Sequence, residues 1–116
     1  MTVSDPYADK RSNPRAPIGV IVHVKTSDAG RHFYSKNISA GGVFLLADSP
    51  LPVETRVTME IFLPLVNTPI KVSGEVVWIQ KNPTSGFAVR YLDISPAGQN
   101  LIRWVVDRYL SRASDP

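Results

Sequence analysis

Apolar and polar positions begin to alternate at Ile18. Ile18, Val20, Val22 and Val24 are interleaved with Gly19, Ile21, His23 and Lys25, which predicts a β-strand over 18–25. Asp28-Ala29-Gly30 is a turn signal, and 31–38 returns as a second strand through His32, Phe33 and Tyr34. Gly41-Gly42 breaks the chain before a short third strand, Val43-Phe44-Leu45-Leu46. A loop over 48–55 carries Pro50 and Pro52. Beyond it Val57, Met59, Ile61 and Leu63 alternate with Thr58, Glu60 and Phe62 as a fourth strand. After a turn at 64–69, Ile70, Val72, Gly74, Val76 and Trp78 share one face of a fifth strand. A turn at 82–86 leads to a sixth, with Phe87, Val89 and Tyr91 on one face. Six short strands at this spacing predict an antiparallel barrel or sandwich, and closure into a barrel would remove exposed edges.

The two ends depart from this period. Ser95 is suited to cap a helix and Pro96 to open it. From there Leu101, Trp104 and Val105 form an apolar stripe continued by Ile102, Val106, Tyr109 and Leu110, which predicts a helix over 96–112 closing one end of the strands. Residues 1–17 hold Pro6, Pro14 and Pro17 and few large apolar groups beyond Val3 and Tyr7. They are expected to form a flexible tail, with the folded unit running from 18 to 112.

Composition narrows the chemistry. The chain of 116 residues has the length of one domain, and 43% apolar content suffices for a core. Without cysteine there is no disulfide framework, no thiolate nucleophile and no Cys-ligated metal. The net charge of +3 is a mild bias toward anionic partners, far below that of a dedicated DNA-binding arm. No export signal or membrane span is visible, so a cytoplasmic protein without membrane insertion is expected. Nucleophile elbows, phosphate loops and zinc-protease motifs are absent. His23 and His32 fall on strands with no carboxylate at a telling spacing, and Glu60 and Glu75 should face solvent. The expected protein is not an enzyme and has no catalytic or metal-binding residues.

Two short motifs stand out. Lys10-Arg11-Ser12-Asn13-Pro14-Arg15 places two guanidinium groups four residues apart in the tail. Arginine can hold a phosphate bidentately, read the O6/N7 edge of guanine or stack on a base. Asn37-Ile38-Ser39-Ala40-Gly41-Gly42 joins the second and third strands. It offers an amide, a hydroxyl, and glycines that tolerate positive φ and close approach of a ligand. Taken alone, the first reads better as a solvated basic tail, and the second is no more than a polar turn.

In this order, the two motifs together resemble the PilZ domain. The resemblance rests on Arg11 and Arg15 in an R-x-x-x-R pattern before the strands, then Asn37, Ser39 and Gly42 in [D/N]-x-S-x-x-G. It extends through Gly74-Glu75-Val76-Val77-Trp78, Gly86-Phe87-Ala88-Val89 and the C-terminal helix. It implies a six-stranded antiparallel β-barrel with a C-terminal α-helix that binds the second messenger cyclic di-GMP as a ligand rather than a cofactor. It further implies Arg11 and Arg15 for phosphates and Hoogsteen edges, Asn37 and Ser39 for the guanine Watson–Crick edge, and Gly42 for close approach. Lys10 stands where many members carry a further basic residue, and Trp78 is either a stacking face or a packing residue. The expected mechanism is a tail that becomes ordered over the ligand. At this length no output domain is expected, so the expected effect passes through a separate, unidentified protein effector. Two rivals are a PilZ-fold interaction module that binds no nucleotide and a small barrel for single-stranded nucleic acid. The second is disfavoured by the modest charge and by Phe87, Tyr91 and Trp104 falling on expected core faces.

Overall fold

In the computed structural model, which describes residues 13–114, the chain forms six strands and one helix. They are β1 (Ile21–Lys25), β2 (Gly30–Ile38), β3 (Gly42–Leu46), β4 (Arg56–Phe62), β5 (Ile70–Gln80), β6 (Gly86–Ile94) and α1 (Pro96–Ser114). All pairings are antiparallel, and the strand order β1-β2-β3-β6-β5-β4 closes through β1 and β4 into a barrel. The expected barrel is observed, and the sandwich alternative is not.

Closure fills the interior with the period-two residues. Val22, Val24, Ile38, Leu45, Met59, Ile61, Val76, Phe87 and Val89 are fully buried. Phe33 meets Phe87 edge to face, with ring centroids 5.1 Å apart. A barrel this small holds side chains and no ligand, so any binding function belongs to its outer wall or its ends.

β1 begins later than the alternation predicts, for a local reason. The Ser35 hydroxyl donates to the Ile18 carbonyl at 2.6 Å and accepts from the Val20 amide at 2.8 Å. A side chain thus takes over part of the ladder there, and regular pairing starts at Ile21. The apolar phase continues backward all the same, because Val20 and Ala16 are buried.

The tail boundary also lies earlier than expected. Ala16 is fully buried and exchanges two 3.0 Å backbone hydrogen bonds with Ile38. Residues 13–17 therefore lie along the end of β2 rather than belonging to a loose tail. The small methyl of Ala16 joins the core cluster, and the paired amides satisfy the backbone.

α1 starts as its sequence requires: the Ser95 hydroxyl accepts from the Gly98 amide at 3.0 Å, and Pro96 occupies the first helical position. Ile102, Val105 and Val106 enter the core cluster, Leu110 packs against it, and the Gln99 side chain donates to the Ala40 carbonyl at 3.0 Å. The buried stripe is narrower than predicted. Leu101, Trp104 and Tyr109 are exposed, because a helix laid on a barrel buries only the side facing it. Trp104 instead carries the Arg108 guanidinium 4.9 Å from its ring centroid. No helix among the described residues is long and apolar enough to cross a membrane.

A tight β3–β6 contact yields a test. A Cβ on Gly86 would meet the Leu45 carbonyl oxygen and lie 2.9 Å from Phe44 Cζ, whereas one on Gly19 would find nothing nearer than the Ser35 carbonyl at 3.7 Å. Gly86→Ala is expected to cost about 1–3 kcal/mol. Gly19→Ala should stay within about 0.5 kcal/mol of the parent. Urea denaturation midpoints at constant m-value check both.

Candidate functional site

Strict alternation from Phe33 would send both Ser35 and Asn37 into the barrel. The structure avoids this with a bulge at Lys36: Ser35 pairs with Leu45, then Asn37 with Phe44 and Ile38 with Val43. The extra residue turns Asn37 outward and Ile38 inward. A second bulge does the same on β5. Val76 pairs with Val89 but Trp78 with Ala88, so Val77 is the additional residue and Trp78 leaves the core face predicted for it.

The two bulges create one outward row, Asn37–Phe44–Ala88–Trp78, running across β2, β3, β6 and β5. Phe44 and Trp78 lie 5.8 Å apart at 57°, and Phe44 and Ala88 are nearly covered by their neighbours. Arg15 reaches this row from the N-terminal segment. With Lys36, Asn37, Phe44, Trp78 and Gln80 it lines a cleft of about 90 Å³. Gly42 adjoins in a neighbouring recess that shares Arg15, Asn37 and Phe44.

The cleft has two cations and no carboxylate in its lining, which suits an anion. Its aromatic wall suits a planar group, and the amides of Asn37 and Gln80 supply donors and acceptors. Gln80 is held by its Nε2 donating to the Thr84 carbonyl at 2.8 Å. The Asn37 amide has no hydrogen-bond partner among the described residues and remains available.

Ser39 is placed differently from Asn37. It is 4% exposed and does not line the cleft. Its hydroxyl accepts from the amides of Gly41 at 3.0 Å and Gly42 at 3.1 Å, and donates to the Gly42 carbonyl at 3.3 Å. The same carbonyl accepts the Ser39 amide at 2.9 Å. Those contacts use the hydroxyl's whole capacity, so Ser39 shapes the β2–β3 turn instead of facing the cleft. The expected positive φ at the turn glycines is also corrected, since no described glycine adopts it. Gly41 instead sits close against the N-terminal segment: a Cβ there would stand 2.9 Å from Asn13 Nδ2, the end of a side chain that would have to shift. The turn thereby receives the segment that delivers Arg15.

Among the sequence-selected residues, the fold brings Arg15, Asn37, Gly42 and Trp78 together, with Ser39 beneath them. Lys10 and Arg11 lie outside the described residues. Lys36, Phe44 and Gln80 were missed. The signal that would have found them is strand pairing, which periodicity does not supply. A wider depression of about 550 Å³ elsewhere on the wall gathers none of the selected residues. Its Arg56 is already faced by Glu75 at 3.9 Å. No group of three or more His, Asp or Glu residues able to hold a metal occurs among the described residues.

Fold and cleft define a class: a small antiparallel barrel, its interior packed solid, with a row of cationic and aromatic residues on its outer wall. The chain belongs to the PilZ domain family, whose model matches residues 9–108. Among solved structures it is similar to the Bacillus subtilis inhibitor of motility, MotI/DgrA, with a TM-score of 0.80 at 19% identity over 90% of this chain and 53% of that one. It is also similar to Escherichia coli YcgR in complex with c-di-GMP, with a TM-score of 0.74 at 17% identity over 90% of this chain and 47% of that one. The isolated PilZ domain of YcgR with c-di-GMP gives 0.67 at 17% identity, covering 90% of this chain and 94% of that one. The chain thus spans about half the length of the first two. No curated protein matches it in sequence.

The opposite placements of Ser39 and Asn37 separate by substitution. Without ligand, Ser39→Ala should destabilise the protein by about 1–3 kcal/mol, because it strands the buried amides of the turn. Asn37→Ala should remain within about 0.5 kcal/mol of the parent. Equal losses in chemical denaturation would contradict the division of roles.

Proposed function

We propose that the protein is a receptor for cyclic di-GMP, bound at the Arg15–Asn37–Trp78 cleft, with no catalysis of its own. The observation that carries this reading is the convergence of Arg15, Asn37 and Trp78, from three separate parts of the chain, in one cleft without carboxylates. Family membership and the cyclic di-GMP complexes of YcgR support it.

The ligand has two guanines and two phosphates. Arg15 presents a planar fork that matches a phosphate or the O6/N7 edge of guanine, and Lys36 adds a second positive charge. Asn37 offers a donor and an acceptor to a base edge. Trp78, supported by Phe44, supplies a stacking face, an interaction worth about 1–3 kcal/mol per base. Ser39 and Gly41 act indirectly, by holding the turn on which Asn13 and therefore Arg15 rest. Arg11 and Lys10 add contacts from the segment preceding residue 13. The signal leaves through a separate protein effector.

Ordering on binding is confined to residues before 13, because Ala16 already secures the stretch behind them. Trypsin cleavage after Arg11 should slow when cyclic di-GMP is added, while amide exchange at Ala16 and Ile38 changes little. Confirmed binding with unchanged cleavage after Arg11 would remove the tail from the mechanism.

Calorimetric titration tests the receptor reading. Cyclic di-GMP should bind in preference to cyclic di-AMP and GTP, since adenine replaces one of the two guanine acceptors with a donor. Arg15→Ala and Asn37→Ala should each weaken binding by about 1–3 kcal/mol. Equal affinity for cyclic di-AMP would overturn guanine recognition.

A further inference from the structure

The cleft is rich in hydrogen-bond donors and short of acceptors. Arg15 and Lys36 only donate, the indole N–H of Trp78 does the same, and Phe44 is apolar. With no carboxylate in the lining, its side-chain acceptors are two amide oxygens, those of Asn37 and Gln80. Guanine, unlike adenine, carries a 2-amino donor. Desolvated in a cleft without an acceptor, that group would oppose binding rather than favour it.

The Gln80 amide has a fixed sense. A carbonyl oxygen accepts and cannot donate, so the Gln80 atom facing the Thr84 carbonyl at 2.8 Å is Nε2. Rotating the amide by a half-turn would set two acceptor oxygens against each other. Its Oε1 has no hydrogen-bond partner among the described residues. One end of the amide is thus tied to the β5–β6 turn, and the other is an acceptor with its capacity unused.

The placement of Gln80 suits a base held on the aromatic wall. Beyond the bulge at Val77, Trp78 and Gln80 face outward, and Ile79 between them packs against the core. The two outward residues are about 7 Å apart along β5. Gly86, opposite Gln80, has no side chain to engage it, and a Cβ there would collide with the Phe44 ring. Arg15 and Asn37 stand at the β2 end of the cleft, Trp78 and Gln80 at its β5 end. In guanine, N7 and the 2-amino group lie on opposite sides of the ring system. A guanine whose O6/N7 edge meets Arg15 therefore turns its 2-amino group toward β5.

We propose that Gln80 is a specificity-determining residue of this cleft: its Oε1, oriented through Nε2, accepts from the 2-amino group of a guanine stacked on Trp78. The assignment rests on the cyclic di-GMP reading and adds to it the residue that reads this group.

The probe is cyclic di-IMP, whose hypoxanthine bases differ from guanine only in lacking the 2-amino group. Calorimetric titrations of the full chain compare it with cyclic di-GMP. The parent should prefer cyclic di-GMP by about tenfold, the value of one hydrogen bond. Gln80→Leu should bind the two ligands equally. If that variant does not fold, Gln80→Ala, too short to reach a base, serves as the same test. A merely structural role would weaken both ligands alike and leave the preference at its parental value, which overturns the proposal. So does equal binding of both ligands by the parent, with the receptor reading left intact. Failure of the parent to bind either ligand removes the receptor reading and this assignment with it.

Discussion

Closure of the hydrogen-bond ladder is the constraint on which the rest of this molecule depends. Once β1 pairs with β4, every strand has two neighbours and every side chain is assigned to the inside or the outside. The inside of a six-stranded barrel is filled by its own residues, here Phe33, Leu45, Met59 and Phe87 among others. Any binding surface is therefore displaced onto the outer wall or the ends, where residues meet their neighbours across strands rather than along them.

On such a wall, a bulge changes more than local geometry. Without the extra residue at Lys36, Asn37 would point into the core, where an amide without partners is costly, and Ile38 would face water. Without the one at Val77, Trp78 would follow Val76 inward. Each bulge gives up regular pairing at one residue, and together they align Asn37 and Trp78 at opposite ends of a single row. Between them β3 and β6 stay regular, with Phe44 and Ala88 as the floor. Gly86 leaves room for the Phe44 ring, which ties the packing of β6 to the shape of the cleft.

Arg15 reaches that row by a different route. Two backbone hydrogen bonds between Ala16 and Ile38 fix the segment beside β2, and Asn13 rests on Gly41. The Ser39 hydroxyl closes the turn beneath. The motif residues thus divide into those that face the cleft and those that hold the turn, although they are neighbours in sequence.

The sequence by itself determined six strands, a capped C-terminal helix and most of the core, because alternation and capping are local. Through a motif resemblance it also singled out Arg15, Asn37 and Gly42, which the fold brings to one cleft and its adjoining recess. Alternation placed Trp78 on the core face because periodicity assumes an unbroken ladder, and the resemblance gave Ser39 a ligand contact because a motif says nothing of turn hydrogen bonds. Lys36, Phe44 and Gln80 were silent for a related reason: their place in the cleft comes from neighbours on other strands. Trp104 and Leu101 looked buried because a helical stripe does not reveal how much of it the barrel can cover. Ala16 looked like tail because one small residue carries little apolar signal until Ile38 lies beside it. Only the tertiary structure decided these points, since register, bulges and barrel closure depend on contacts between residues distant in sequence.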